Sequence, residues 1–151
     1  MITDSDVRKA IEYYKDTYGN NFYSLFVHVE RKCPVVVEFI GSQNRRLVNT
    51  YERDALLYYM YVLYLVVEDC FGIIERDFSL KELEELKVSF LEHDFFNDNV
   101  THEPELEDYF KVLIHGNSNV RTRAIPHVIA CMCAIITLYV PTDGYLRSNF
   151  L

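Results

Sequence analysis

Residues 125–140 read IPHVIACMCAIITLYV, an apolar run interrupted by Pro126, His127 and Thr137. Such a run predicts a helix that is buried on most faces at the centre of a helical bundle. Two alternatives stay open. One is a buried strand. The other is a membrane tail anchor, although the run is shorter than the roughly 20 residues that a bilayer requires. Pro126 suits the first turn of a helix that begins near Ile125, or it kinks a helix that begins at Asn119.

Helical patterns on the N-terminal side supply the partners that such a central helix needs. Apolar residues at steps of three and four predict a helix near the N-terminus, capped by Asp4 or Ser5. A second helix runs from Thr50 to about Gly72. Later helices follow the capping-box sequence at 79–82 and span 104–116, with proline in the first turn.

Residues 22–40 have a different texture, because Phe22–Val29 and Pro34–Ile40 are β-branched and aromatic runs of strand length. They predict a β hairpin with Glu30-Arg31-Lys32 between the two runs and Gly41-Ser42 after the second, and a helical Phe22–Val29 is the alternative. The expected fold is therefore mainly α, a helical bundle of about five helices with a short β hairpin near residues 22–40. No linker or repeat is visible, so residues 1–151 are predicted to form a single compact domain.

The charge is strongly uneven along the chain. The formal net charge is −8. Residues 75–108 hold 12 acidic and three basic side chains, a net of −9, so the remainder is close to neutral. Such a surface repels nucleic-acid phosphates and attracts basic partners. We therefore expect no nucleic acid as a partner.

The cysteines predict a reducing compartment. Cys33, Cys70, Cys131 and Cys133 lie in apolar runs, where a reduced cysteine acts as a small buried hydrophobe. The polar residues at the N-terminus do not resemble a signal peptide. A soluble, intracellular, cytoplasmic protein is the expectation, with a membrane as an unlikely partner.

Candidate chemistry is weak throughout the sequence. His93, His102 and His115 lack the spacing that places two metal ligands on one helix face. Residues two apart, such as Cys131 and Cys133, diverge on a helix and make a poor chelate. The five glycines are scattered and form no phosphate loop. We therefore predict no catalytic residues, no metal and no cofactor.

A contact surface is the remaining prediction. The acidic run contains Glu103, Glu105, Glu107 and Asp108, which suit the positive end of a helix dipole. Phe95 and Phe96 are adjacent rings in an otherwise polar loop. Exposed rings beside an acidic rim are typical of a protein interface. We expect these residues, Phe95, Phe96, Glu103, Glu105, Glu107 and Asp108, to bind another protein with a basic surface.

The function predicted from these features is a non-enzymatic interaction module of the inhibitor, immunity or adaptor type. An enzyme whose site is assembled from scattered residues is an alternative. The tyrosine-rich stretch 51–64 also permits a homodimer.

The sequence Asn117-Ser118-Asn119-Val120-Arg121 before the apolar helix resembles the entry to the central helix of poxviral Bcl-2-like proteins. The resemblance implies a host-modulating protein that binds a partner helix in a groove, which is a further alternative. The chain departs from that pattern in its strand-like region at 22–40. It also has 11 residues after Val140, too few for the later helices of that family.

Overall fold

A computed structural model describes residues 1–18, 22–72, 78–92 and 98–142, without the side chains of 15–18 and 22–25. These residues form seven α-helices: α1 (Asp4–Tyr18), α2 (Phe22–Lys32), α3 (Pro34–Gly41), α4 (Thr50–Phe71), α5 (Leu80–Leu91), α6 (Pro104–His115) and α7 (Ile125–Tyr139). A short 3-10 turn, Thr122–Ala124, leads into α7. The mainly α prediction is confirmed, and the count of about five helices was too low.

Helix α7 is the central element of the bundle. It is buried almost all round and packs against α4, α5 and α6. Pro126 lies in its first turn, so it leaves no internal hydrogen bond unmade. The alternative of a buried strand is wrong. The stretch Thr122–Tyr139 is long and apolar enough to cross a membrane, and most of it is covered by the rest of the protein.

The predicted hairpin at 22–40 is wrong, because both segments are helices. Val36, Phe39 and Ile40 on α3 are buried at steps of three and four, which is a helical face rather than a strand face. Cys33 separates α2 from α3, and Pro34 starts the new helix in its first turn. The described residues contain no strand, since burial on a helical face outweighs the strand propensity of β-branched side chains.

The helix boundaries follow the predicted capping chemistry. Ser79 and Glu82 form the predicted capping box at the start of α5. Gly72 ends α4 with a φ of 77°, a left-handed conformation that favours glycine. One detail differs: Thr3 rather than Asp4 or Ser5 caps α1, because its hydroxyl oxygen accepts a hydrogen bond from the backbone N of Asp6 at 3.2 Å and its own backbone N donates to Asp6 Oδ2 at 2.9 Å.

The remaining helices pack around α4 and α7. Helix α1 packs on α4 and α6, whereas α2 and α3 pack on α4, and α3 also reaches α5. This arrangement brings the start of α6 next to the start of α1. The exposed side chains of α4 lie in its first turns and near its C-terminal end.

Candidate functional site

The predicted acidic residues at the start of α6 act first as caps for other parts of the chain. Glu103 Oε2 accepts a hydrogen bond from the backbone N of Ile2 at 2.7 Å. Glu105 Oε2 accepts one from the backbone N of Asp4 at 3.0 Å. Both carboxylates thus lie at the N-terminus of α1, where the helix dipole and unpaired amides stabilise negative charge.

Glu107 holds the segment that precedes α6. Its carboxylate accepts from the backbone N of Val100 at 3.0 Å and of Thr101 at 2.7 Å. Lys111 Nζ lies 2.6 Å from Glu107 Oε2. Burial raises the pKa of Glu107, but the hydrogen bonds from Lys111 and Thr101 outweigh it and hold the pKa below its ordinary value. Glu107 is therefore a buried structural anion.

The structure divides the four predicted acidic residues into two pairs. Glu103 and Glu107 are 3 % and 1 % exposed, so a partner cannot reach them in this conformation. Glu105 and Asp108 are exposed and lie on the same side of α6. Asp108 also accepts from Asn99 Nδ2 at 2.9 Å. Phe95 and Phe96, the other predicted contact residues, lie outside the described residues.

A row of aromatic rings joins this part of α6 to α4. Ring centroids are 6.0 Å apart from Tyr58 to Tyr59, 6.2 Å from Tyr59 to Phe110, and 5.4 Å from Phe110 to Tyr109. The two inner rings are buried, whereas Tyr58 is 46 % exposed. Burial raises the pKa of Tyr109, and the nearby Tyr58 and Asp4 raise it further. Tyr58 and Tyr109 therefore flank the same surface.

Val112 extends this surface along α6. It is 72 % exposed, the largest exposed fraction of any large hydrophobic side chain in the described residues. It lies one turn after Asp108 and Tyr109, and Glu105 lies one turn before them. We call the five residues Glu105, Asp108, Tyr109, Val112 and Tyr58 the α6 face. Sequence reasoning missed Tyr58, Tyr109 and Val112, although Val112 interrupts a polar stripe at 105, 108 and 115 that marks the solvent side of α6.

Two histidines contact backbone carbonyls, and the buried thiols are held in their protonated form. His102 Nε2 lies 3.0 Å from the carbonyl O of Val140, and His115 Nδ1 lies 2.8 Å from that of Lys111. Among the described residues, no group of His, Cys, Asp and Glu is arranged to hold a metal. Burial raises the pKa of Cys33 to about 11 and of Cys131 to about 12, so these thiols stay protonated.

Cys70 is a correction to the sequence prediction of four buried cysteines, because it is exposed near the end of α4. Desolvation, with Asp6, Asp69 and Glu103 nearby, raises its pKa to about 11. A nucleophilic cysteine needs a lowered pKa, so its surroundings do not favour such a role.

Arg121, the basic residue in the segment that resembles Bcl-2-like proteins, is engaged inside the chain. Its Nη2 donates to Glu52 Oε1 at 2.8 Å, and Glu52 is fully buried. The guanidinium therefore fixes the turn before α7 to the start of α4.

Comparisons with protein-family models, curated proteins and solved structures give no significant match to this chain.

Proposed function

We propose that this protein is a non-enzymatic interaction module that binds another protein through the α6 face. The proposal keeps the acidic contact surface that the sequence suggests and replaces its buried members with exposed neighbours. Glu105 and Asp108 supply the charge, and Tyr58, Tyr109 and Val112 supply the apolar area.

The observation that carries the proposal is the position of Val112. A valine that is 72 % exposed gains little from folding, since most of its apolar surface remains in water. A single exposed apolar residue is ordinary. Here, however, it adjoins the ring of Tyr109 and the carboxylate of Asp108 on one helix face. An apolar centre with a charged rim is the usual anatomy of a protein interface.

Charge complementarity defines the partner. The exposed carboxylate of Glu105 lies beside Asp4, from whose backbone N it accepts a hydrogen bond, and Asp108 lies on the same side of α6. A cluster of like charges at a rim accelerates association with a positively charged surface and makes binding depend on salt. We therefore propose a basic protein as the partner, with an apolar residue that packs against Val112.

Affinity enrichment with mass spectrometry identifies candidate partners, and calorimetric titration of the purified partner then tests the proposal. We expect Glu105→Lys with Asp108→Lys to weaken binding about tenfold or more, because two attractive charges become repulsive. Val112→Thr keeps the shape but replaces a methyl group by a hydroxyl, and we expect it to weaken binding several-fold.

The matched control is Glu85→Lys on α5. Glu85 is exposed and on a helix that packs on α3 and α7, away from α6, and the change in charge per site is the same. It should leave affinity unchanged. Equal effects of Glu85→Lys and Glu105→Lys would show a general charge effect and contradict the α6 face.

The groove-binding alternative predicts a different pattern. Binding of a partner helix in an apolar groove would tolerate Glu105→Lys and Asp108→Lys and would change little between low and high salt. That result, with retained affinity of Val112→Thr, would favour the groove over the α6 face.

A further inference from the structure

The chain carries exposed cations near the start of α4 that the α6 face does not use. Arg45 and Arg46 are exposed in the turn before α4, and Arg123 is exposed in the 3-10 turn before α7. The ion pairs of the described residues engage other cations, namely Arg8, Lys81, Lys87, Lys111 and Arg121. In this part of the chain, the three arginines therefore present positive charge that no carboxylate neutralises.

Two exposed apolar side chains adjoin these arginines. Asn44 holds the turn, since its carbonyl O accepts from the backbone N of Leu47 at 3.0 Å and its Oδ1 accepts from that of Arg46 at 2.9 Å. Leu47 is 44 % exposed, and Tyr51, in the first turn of α4, is 69 % exposed. The turn thus places apolar area directly beside positive charge.

A hydrogen bond brings Arg123 to the same region. Two residues before it, the backbone N of Arg121 donates to Glu52 Oε2 at 2.8 Å, and Glu52 follows Tyr51 in the first turn of α4. We use the name basic end for the five exposed residues Arg45, Arg46, Leu47, Tyr51 and Arg123.

The basic end and the acidic start of α6 lie at opposite ends of the bundle. Helix α7 begins directly after the 3-10 turn that carries Arg123. Beyond the other end of α7, the carbonyl O of Val140 lies 3.0 Å from His102 Nε2, just before α6 begins. A helix of 15 residues is roughly 22 Å long, so about the length of α7 separates Arg123 from the start of α6.

Exposed apolar side chains lie between these two ends. Tyr58 lies two turns after Tyr51 on the same side of α4. Asn117 Nδ2 donates to Tyr59 Oη at 2.9 Å, so the turn after α6 lies beside this part of α4, and Val112 is exposed on the last turn of α6. The surface therefore leads from arginines, through tyrosine and valine side chains, to the carboxylates of the α6 face.

We infer that the occupant of this surface is a second copy of the chain, related to the first by a two-fold rotation. In such a contact the same surface is used on both copies, and each pair of contacting residues occurs twice. The rotation places the basic end of each copy against Glu105 and Asp108 of the other. The apolar side chains meet near the two-fold axis, so charge and apolar area are both complementary.

This inference rests on the proposed function, because it uses the α6 face, and it names a second copy as the source of the basic surface. Two copies also repel each other through a net charge of −8 each. Salt screens that repulsion as well as the local attraction, so the test uses reversed charges rather than salt alone.

Sedimentation equilibrium of the full chain measures the association. We expect a reversible monomer–dimer equilibrium in the parent protein. The arginine variant, Arg45→Glu with Arg46→Glu, should dimerise at least about tenfold more weakly, because each contact then joins two acidic groups. The acidic-end variant, Glu105→Lys with Asp108→Lys, should lose a similar amount, because each contact then joins two basic groups.

Mixing these two variants is the decisive experiment. Both contacts of the mixed dimer again join opposite charges, so the mixture should form a dimer of one copy of each variant. A chain that carries all four substitutions should dimerise with itself about as well as the parent. Damage to the fold cannot produce such a recovery, and circular dichroism confirms that each variant is folded.

Further variants separate the local surface from a general charge effect. Arg31→Glu with Lys32→Glu reverses two adjacent exposed cations on α2 and is the matched control, which should leave dimerisation unchanged. Leu47→Ser should weaken it several-fold through lost apolar contact. Asp54 is exposed next to the basic end and opposes its charge, so Asp54→Asn should strengthen dimerisation.

Three results would overturn the inference. They are a parent protein that stays monomeric at every concentration, a mixture of the two variants that does not recover, and assemblies that grow beyond a dimer, which a closed two-fold contact excludes. Capture of a different acidic protein by the basic end of a monomeric chain would replace the second copy as its occupant.

Failure of this inference is distinguishable from failure of the proposed function. The arginine variant leaves Glu105, Asp108 and Val112 intact, so it should still bind a different basic protein through the α6 face. Binding of such a partner to a monomeric parent would leave the proposed function standing and reject the second copy.

Discussion

The carboxylate of Glu52 and the guanidinium of Arg121 are paired in two-pronged geometry across 69 residues of chain. Arg121 Nη2 donates to Oε1 at 2.8 Å, and its Nε lies 3.2 and 3.1 Å from the two oxygens. The backbone N of Arg121 also donates to Oε2 at 2.8 Å. Glu52 meanwhile completes a capping box with Asn49. One buried carboxylate thus joins the start of α4 to the turn before α7.

Replacing Glu52 by glutamine should lower the free energy of unfolding by about 2–3 kcal/mol, because charge-assisted hydrogen bonds become neutral ones and the pair with Arg121 is lost. Urea denaturation followed by circular dichroism measures the change. Glu12→Gln, at an exposed position on α1, should stay within about 0.5 kcal/mol of the parent. A similar loss in both variants would contradict the role of the Arg121 pair.

The same residue predicts the response to acid. Burial raises the pKa of Glu52, but hydrogen bonds from Arg121 and Asn49 outweigh it and keep the pKa below the ordinary value of 4.5. The unfolded chain therefore binds a proton more readily than the folded one, and the stabilisation is present above about pH 4.5 and is lost as pH falls below it. Glu107 contributes with the same sign. Unfolding midpoints measured between pH 6 and pH 3, values chosen to bracket the ordinary carboxyl range, should fall less steeply in Glu52→Gln than in the parent. Parallel curves would argue against the lowered pKa.

The division of the α6 carboxylates gives a third prediction. Glu107→Lys places a cation beside Lys111 and removes the acceptor for two backbone amides, so it should cost about 3–5 kcal/mol or prevent folding. Glu105→Lys loses one cap at Asp4 and should cost about 1 kcal/mol. Thermal unfolding of both proteins gives the comparison. Equal stability of Glu107→Lys and Glu105→Lys would contradict the division of the α6 carboxylates into a buried pair and an exposed pair.

Two glycines give a matched pair of backbone tests. Gly72 has a φ of 77°, and a Cβ there would meet no atom within 4 Å, so Gly72→Ala should cost about 1–3 kcal/mol through backbone strain alone. Gly41 ends α3 with open space around it and without a positive φ. Gly41→Ala should be neutral or stabilise by about 0.5–1 kcal/mol. Chemical denaturation of both variants checks the opposite signs, and a stable Gly72→Ala would contradict the left-handed end of α4.

Thiol labelling tests the placement of the cysteines. Cys70 is exposed, whereas Cys33, Cys131 and Cys133 are buried. A disulfide reagent should therefore modify one thiol in the native protein and the other three on unfolding. Because the pKa of Cys70 is raised to about 11, its reaction should be slow near neutral pH and become faster as pH rises. Rapid native labelling of Cys131 would contradict the enclosed position of α7.

The elements predicted best are those with local chemical signals. The start of α5 is encoded by Ser79 and Glu82, which satisfy each other's backbone groups within one turn. The ends of α4 and α6 are likewise encoded locally, by Gly72 and Gly116. The prediction of a hairpin at 22–40 was wrong because it rested on the strand propensity of single residues. The free-energy differences in strand propensity are small, and burial of Val36, Phe39 and Ile40 on one helix face outweighs them.

The sequence proposed acidic members for the candidate site without the direction in which their side chains point. The acidic residues at 103–108 were identified from composition, and composition does not reveal whether a side chain points into the core or into solvent. Glu107 turns inward because the amides of Val100 and Thr101 need an acceptor, which depends on where the preceding segment lies. Tyr58 joins the α6 face through rings on two helices that are distant in sequence. A pairing of this kind leaves no local pattern.

The sequence by itself determined the apolar character of residues 125–140 and favoured a buried helix whose first turn can hold Pro126, because apolar composition and proline geometry act within a few residues. Tertiary structure alone decided which carboxylates became internal anions and which stayed at the surface. The physical reason is that a charge or hydroxyl is stabilised by whatever donor lies beside it. For Glu52 that donor, Arg121, comes from a distant part of the chain.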